Sequence, residues 1–186
     1  MKLYKSKKLF NIDNNAKTIK GQKYKVMTAI LYLAPAKISG FNVCPFSDDC
    51  AFTCLNTSGR GKMNSVQKGR INKTLWYFKE RHTFMAQLHK EIKSHINRCK
   101  RLKYKPAFRI NGTSDLKVEN MGLIQKYPMA QWYDYTKNPI RMKKFIDGKM
   151  PSNYHLTFSL GSTNKIEAQK VLKLGGSVAT VFRNKK

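Results

Sequence analysis

QWYDYTKNPIRMKKFI, residues 131–146, holds one complete unit of the fold. Gln131–Tyr135 is aromatic-rich and reads as a strand, because aromatic residues fit a pleated, half-buried surface. Thr136-Lys137-Asn138-Pro139 ends it, and Ile140–Ile146 reads as a short basic helix. The same order recurs on both sides. Upstream, Ala107–Ile110 is a strand, Asn111-Gly112-Thr113-Ser114-Asp115 a polar turn and Leu116–Lys126 a helix. Downstream, Tyr154–Ser159 is a strand, Asn164–Leu174 a helix and Ser177–Phe182 the last strand. Further upstream, Tyr24–Leu33 (YKVMTAILYL) becomes continuously apolar, as suits a strand buried on both faces. The class this predicts is α/β: βα repeats with about five mostly parallel strands, as an open sheet or a partial βα barrel.

Between the first two strands lies the longest helical pattern. Gly59-Arg60-Gly61-Lys62 is a flexible basic hinge. Asn64 is placed to cap the helix, with Gln67 three residues on as in a capping box. Apolar positions follow at Ile71, Leu75, Phe78, Met85, Leu88, Ile92, Ile96 and Cys99, mostly three or four apart, so one face is buried. The run is long for one globular helix. A break near His82-Thr83, with Thr83 as second cap, divides it in two. His82 falls on the apolar stripe and reads as a hydrogen-bonded core histidine.

The 186 residues suit a single βα domain over 24–186, preceded by a Lys/Asn-rich basic arm over 1–23. A hydrophobic fraction of 41% and an aromatic fraction of 11% belong to a globular chain. Thirty-seven Lys+Arg against ten Asp+Glu leave a net charge of +27, which makes a polyanion, and nucleic acid first, the expected partner. Arg60, Lys62, Arg70, Lys73, Lys143 and Lys144 are the candidate contacts. No membrane partner is expected: neither end carries a basic amphipathic helix with a clean apolar face, and no run approaches a membrane span. The basic start followed by Val26–Leu33 makes a poor signal peptide, so the chain reads as cytoplasmic.

Three of the four cysteines, Cys44, Cys50 and Cys54, lie in the loop CPFSDDCAFTCLNTSGR (44–60) after the first strand. Four cysteines are too few for a disulfide scaffold, and clustered thiols in a reducing compartment read as a metal site. Thiolates favour zinc, copper(I) or iron–sulfur centres. A closed zinc site needs four ligands, and Cys99, His82, His89, His95 or His155 could complete one. A three-cysteine cluster instead leaves one iron open. The loop follows a strand's C-terminal end, where βα sheets gather their sites. The corresponding ends of the other strands carry NGTSD (111–115), YDYTK (133–137) and SLGST (159–163). Asp115 and Asp134, two of only ten acids, lie there. Asp115 suits either a helix cap or a site, and Asp134 needs a partner such as Lys137, Arg141 or a ligand.

The sequence resembles a family of phage proteins called gene product eighty-eight, on SGFNVCPFSDDCAFTCLNTSGR (39–60), FRINGTSDL (108–116), WYDYTKNPIR (132–141), NYHLTFSL (153–160) and VATVF (178–182). That family is similar, more distantly, to phage proteins named for gene products thirty-seven and sixty-eight, which resemble radical S-adenosylmethionine (SAM) enzymes. The resemblance implies a partial βα barrel, a [4Fe–4S] cluster on Cys44, Cys50 and Cys54, and SAM bound by Asn111, Gly112, Thr113, Ser114 and Asp115. Tyr135, Lys137, Arg141 and Ser159 would line the same mouth, and together with Asp134 they are the substrate or catalytic candidates. The loop here spaces its cysteines by five and three residues, where the radical SAM loop has three and two. Two other functions fit the same residues. One is a zinc-stabilised, non-catalytic protein that binds nucleic acid, stacking bases on Trp76, Tyr77, Trp132 or Tyr133, or that binds a host protein. The other is a metal-dependent nuclease built on Asp115 and Asp134 with Lys137.

Overall fold

The computed structural model describes residues 6, 8–12, 16–47, 50 and 54–180. Its strands are β1 (Phe10–Ile12), β2 (Val26–Leu31), β3 (Lys105–Arg109), β4 (Gln131–Thr136), β5 (Tyr154–Ser159) and β6 (Val178–Ala179). Its helices are α1 (Ala16–Ile19), α2 (Asn64–Lys79), α3 (Arg81–Arg101), α4 (Leu123–Lys126), α5 (Pro139–Ile146) and α6 (Lys165–Lys173). The strands form one six-stranded sheet in chain order, β1 to β6. β1 runs antiparallel to β2, and every later pair is parallel. An order that never reverses, joined by right-handed crossovers, sends every crossover helix to the same face. The main core lies under those helices, where Phe108, Trp132, Leu156 and Phe158 meet Leu88, Ile92, Met142, Ala168 and Val171.

The sheet has one strand more than the five expected. β1 falls in the lysine-rich stretch read as an arm, and Leu9 and Phe10 are buried there. Two charged residues hold it. Glu91 accepts the Leu9 and Phe10 amide protons at 2.8–3.0 Å, and Lys73 donates to the Leu9 carbonyl at 2.7 Å. The residues after Thr180 lie outside the described part, so the last strand is seen only over Val178–Ala179.

The long helix does break, at Glu80, two residues before the expected point. Thr83 does not cap α3 by accepting backbone protons. It accepts the Trp76 indole proton at 2.8 Å instead. The break resets the helical phase. The stripe buried by α3 is Phe84, Leu88, Ile92, His95 and Cys99, and His82 is exposed. The buried histidine is therefore His95, whose Nε2 lies 3.1 Å from the Met27 carbonyl oxygen. The capping box at Asn64 also does not form, because the Gln67 amide donates to the Asn56 and Gly61 carbonyls. The helix expected over 116–126 is split by Gly122, whose φ of 69° separates a short 3₁₀ turn from α4. No helix among the described residues is long and apolar enough to cross a membrane.

Candidate functional site: the mouth at the carboxyl ends of the strands

The loop after β3 is held against the chain leaving β2. Gly112 N–H donates to the Leu31 carbonyl at 3.0 Å, and the Thr113 hydroxyl donates to that of Leu33 at 2.5 Å. Only glycine fits at 112: a Cβ would stand 2.6 Å from the Tyr32 ring and 2.7 Å from the Leu31 oxygen. Asn111 ties the loop to itself, its Oδ1 accepting from the Ser114 hydroxyl and the Leu116 amide. The cysteine loop docks on this base. Asp115 N–H donates to the Val43 carbonyl at 2.8 Å, and the Cys44 thiol lies 3.5 Å from the Thr113 oxygen.

Cys44, Cys50 and Cys54 are half-buried and in no disulfide. Among the described residues no three His, Cys, Asp or Glu side chains converge on a metal-binding point. Burial pushes the Cys44 thiol up to about 11, and the charges of Cys54, Asp115 and Cys50 add to that. At neutral pH Cys44 therefore stays a thiol unless a cation binds it. A soft cation suits such a donor set, since it favours the thiolate. Cys99 does not belong with them. It is buried beside His95 near Met27, at the opposite end of β2. Nor is His89 near the loop, since it meets the Tyr127 hydroxyl at 2.9 Å.

Strand alternation divides the other candidates. On β4, Trp132, Asp134 and Thr136 are buried and pair with Tyr154, Leu156 and Phe158 on the helix-covered side. Tyr133 and Tyr135 point the other way, paired with His155 and Thr157. Asp134 and Tyr135 therefore do not share a surface. Asp134 accepts the Asn111 amide proton at 2.8 Å and the Tyr154 hydroxyl at 3.3 Å. Burial raises it to about 6, against the opposing pull of Arg141, the Asn111 amide and Arg109.

Arg141, 2% exposed, anchors a network behind the mouth. It donates to Asp115 at 2.7 Å, to both Glu119 oxygens at 2.8–3.0 Å and to the Tyr154 hydroxyl. Burial alone would lower its pKa, but Tyr154, Glu119 and Asp115 outweigh burial and hold it charged. Asp115 also accepts from the Thr136 hydroxyl at 2.8 Å and the Lys137 amide at 3.1 Å. Burial raises its pKa, with Arg141 the chief opposing influence. With these bonds made, Asp115 and Asp134 are structural acceptors rather than a pair of open metal ligands.

The helix-free side of the sheet carries a different set. Arg109 lies with its guanidinium 4.6 Å from the Tyr135 ring centre and donates to the Asn111 carbonyl at 3.1 Å. Tyr133 hydrogen-bonds Thr28 and is half-buried. Lys137 reaches toward the Ser159 carbonyl at 3.5 Å, which joins the ends of β4 and β5. Arg109 is absent from the expected site, although a lone cation inside the strand FRI (108–110) is a legible signal.

The expected phosphate contacts also divide. Arg60, Lys62 and Lys144 are exposed. Lys143 pairs with Asp147 at 2.9 Å. Arg70 is half-buried, bonded to Asn56 and stacked 5.1 Å from the Tyr32 ring centre. Lys73 is buried on the Leu9 carbonyl, so it is a strand anchor rather than a surface contact.

No curated protein and no solved structure matches the chain. The family model described as Gene product 88, a phage protein family, matches residues 4–186, and the chain belongs to that family.

Proposed function

We propose that this protein is a radical-SAM-like iron–sulfur protein that binds or acts on nucleic acid. The observation that carries the reading is the docking of the cysteine loop. Through Val43 and Cys44 it is pinned to the 111–115 loop, at the carboxyl ends of β2 and β3. The Cys44 thiol thereby lies at the same strand ends as the 111–115 loop. A singly wound, mostly parallel sheet is compatible with a partial βα barrel.

Cys44, Cys50 and Cys54 would hold the cluster, which when bound supplies an electron for reductive cleavage of SAM. The chain's own residues do the rest. The buried 111–114 loop, held by its own hydrogen bonds, is the rigid base on which the cysteine loop sits. Arg109 and Lys137 attract phosphate, while Tyr133 and Tyr135 offer ring faces to bases. Arg141 fixes the 111–115 loop from behind. The zinc reading loses support because Cys99 and His95 lie at the other end of β2. The nuclease reading loses support because Asp134 is buried and Asp115 is held by Arg141, Thr136 and Lys137.

Purification without air, followed by iron, sulfide and zinc analysis, tests this. About four irons per chain are expected, with a visible absorbance lost in Cys44→Ser and Cys54→Ser but kept in Cys99→Ser. Reductive SAM cleavage should accompany the iron. Stoichiometric zinc without iron would overturn the proposal.

A further inference from the structure

On the helix-bearing side of the mouth, a cavity of about 600 Å³ opens between the chain entering the cysteine loop, the 115–120 segment and α5. Asp115, Glu119 and Arg141 form its floor. Their charges are mutually engaged: Arg141 takes Asp115 Oδ1 and both Glu119 oxygens, and Thr136 and Lys137 take Asp115 Oδ2. The floor is thus closed to a cation. The rim is different. Lys117, Lys144 and Lys149 stand around it, all exposed. Among the described residues Lys149 meets Asp147 at 3.5 Å, and no ion pair includes Lys117 or Lys144. Three ammonium groups and one guanidinium against two carboxylates leave an excess of two positive charges around the cavity.

The walls are not those of a simple anion site. Phe46, Pro45 and Pro151 line it, and Ile140, 68% exposed, adds an apolar surface that the other described residues leave open. Asn120 and Gln125 place side-chain amides on the same rim. Cations, a ring face with aliphatic neighbours, and amide donors and acceptors are together what a nucleotide needs: charge for phosphate, a flat apolar wall for the base and amides for its edge. Its volume lies within the range of small-ligand sites, about 300–1,000 Å³.

We infer that this cavity binds one nucleotide, with Lys117 and Lys144 holding the phosphate and Phe46 and Ile140 the base. It rests on the reading of the protein as a nucleic-acid binder and names the place where a single residue of that polymer is held. The cluster is not needed for it. The bound nucleotide would lie beside Pro45, next in sequence to Cys44, and so at the edge of the thiol loop.

Calorimetric titration of the full chain with adenosine 5′-monophosphate, adenosine and inorganic phosphate, at a fixed near-physiological salt, tests the assignment. The monophosphate should bind at least tenfold more tightly than adenosine or phosphate. Lys117→Gln with Lys144→Gln should weaken it tenfold or more, Ile140→Ser should weaken it several-fold, and Lys173→Gln on α6 should leave it unchanged. Phosphate binding as well as the monophosphate would overturn the proposal, as would an equal loss in Lys173→Gln. A chain that holds iron and binds a single-stranded 20-mer, yet ignores the monophosphate, would sink the cavity assignment alone. Loss of 20-mer binding as well would sink the nucleic-acid reading with it.

Discussion

Asp134 is a carboxylate with no open side. Its hydrogen bonds to Asn111 and Tyr154 do not compensate for burial, so its pKa rises from an ordinary 3.8 to about 6. A raised carboxyl pKa means that the folded chain binds the proton more tightly than the unfolded chain does. Stability from this group is therefore greatest below about pH 4, falls as pH rises, and is lowest once pH has passed about 6. The interval corresponds to roughly 3 kcal/mol as an upper bound. Asp134→Asn keeps an oxygen for the Asn111 amide and removes the charge. The variant should match the natural protein near pH 4 and exceed its stability by a few kcal/mol at pH 7, as denaturant titrations at the two pH values would measure. A difference that stays constant between those pH values would refute the account. The same residue illustrates what the sequence offers. Period-two alternation in WYDYT separates Asp134 from Tyr133 and Tyr135 without any coordinates. What is not legible is that the Asp134 side is the covered one, because both faces of that strand look equally aromatic.

At the scale of elements, β1 shows why the rest of the fold was harder to read. It has three residues and lies among lysines, so neither length nor alternation marks it. It becomes a strand through contacts far away in sequence. Glu91 on α3 supplies both carboxylate oxygens to the Leu9 and Phe10 amides, and Lys73 on α2 takes the Leu9 carbonyl. The repeated βα units, by contrast, advertise themselves locally through an apolar strand, a polar end and a basic helix. His82 fails for a third reason: the break at Glu80 rotates the stripe, and a helical period cannot be carried across a break. Glu91→Ala should leave two buried amide protons without acceptors, at a cost of about 2 kcal/mol. The loss should be local. Hydrogen exchange at Asn11, paired with Ile30, should accelerate by at least tenfold, while Tyr133 and Tyr135 on β4 keep their protection. Unchanged exchange at Asn11 would show that β1 is held by its apolar contacts alone.

Across the whole molecule, the +27 charge is scarcely neutralised internally. The acids Asp115, Glu119 and Glu91 are engaged in the interior, by Arg141 and by the amides of β1, so they screen little of the surface. The surface lysines therefore repel one another, and a compact state under such repulsion is less stable than its packing alone would make it. Screening acts over a Debye length of about 10 Å at 0.1 M salt and about 3 Å at 1 M. Raising sodium chloride from 50 to 500 mM should therefore raise the melting temperature by several degrees, the reverse of what salt does to a protein held by surface ion pairs. A polyanion should do the same at far lower ionic strength, by neutralising charges locally. A single-stranded 20-mer at micromolar concentration should raise the melting temperature in 50 mM salt, and its effect should vanish near 500 mM. If such a strand neutralises about six lysines or arginines, its affinity should fall by roughly two to three powers of ten between 50 and 200 mM. The pairing of the two measurements is what discriminates. Self-repulsion requires salt to stabilise the free protein, and polyanion binding requires the same salt to abolish the ligand's effect. A free protein whose melting temperature falls with salt would mean that the lysines are already paired, and the basic surface would no longer argue for nucleic acid.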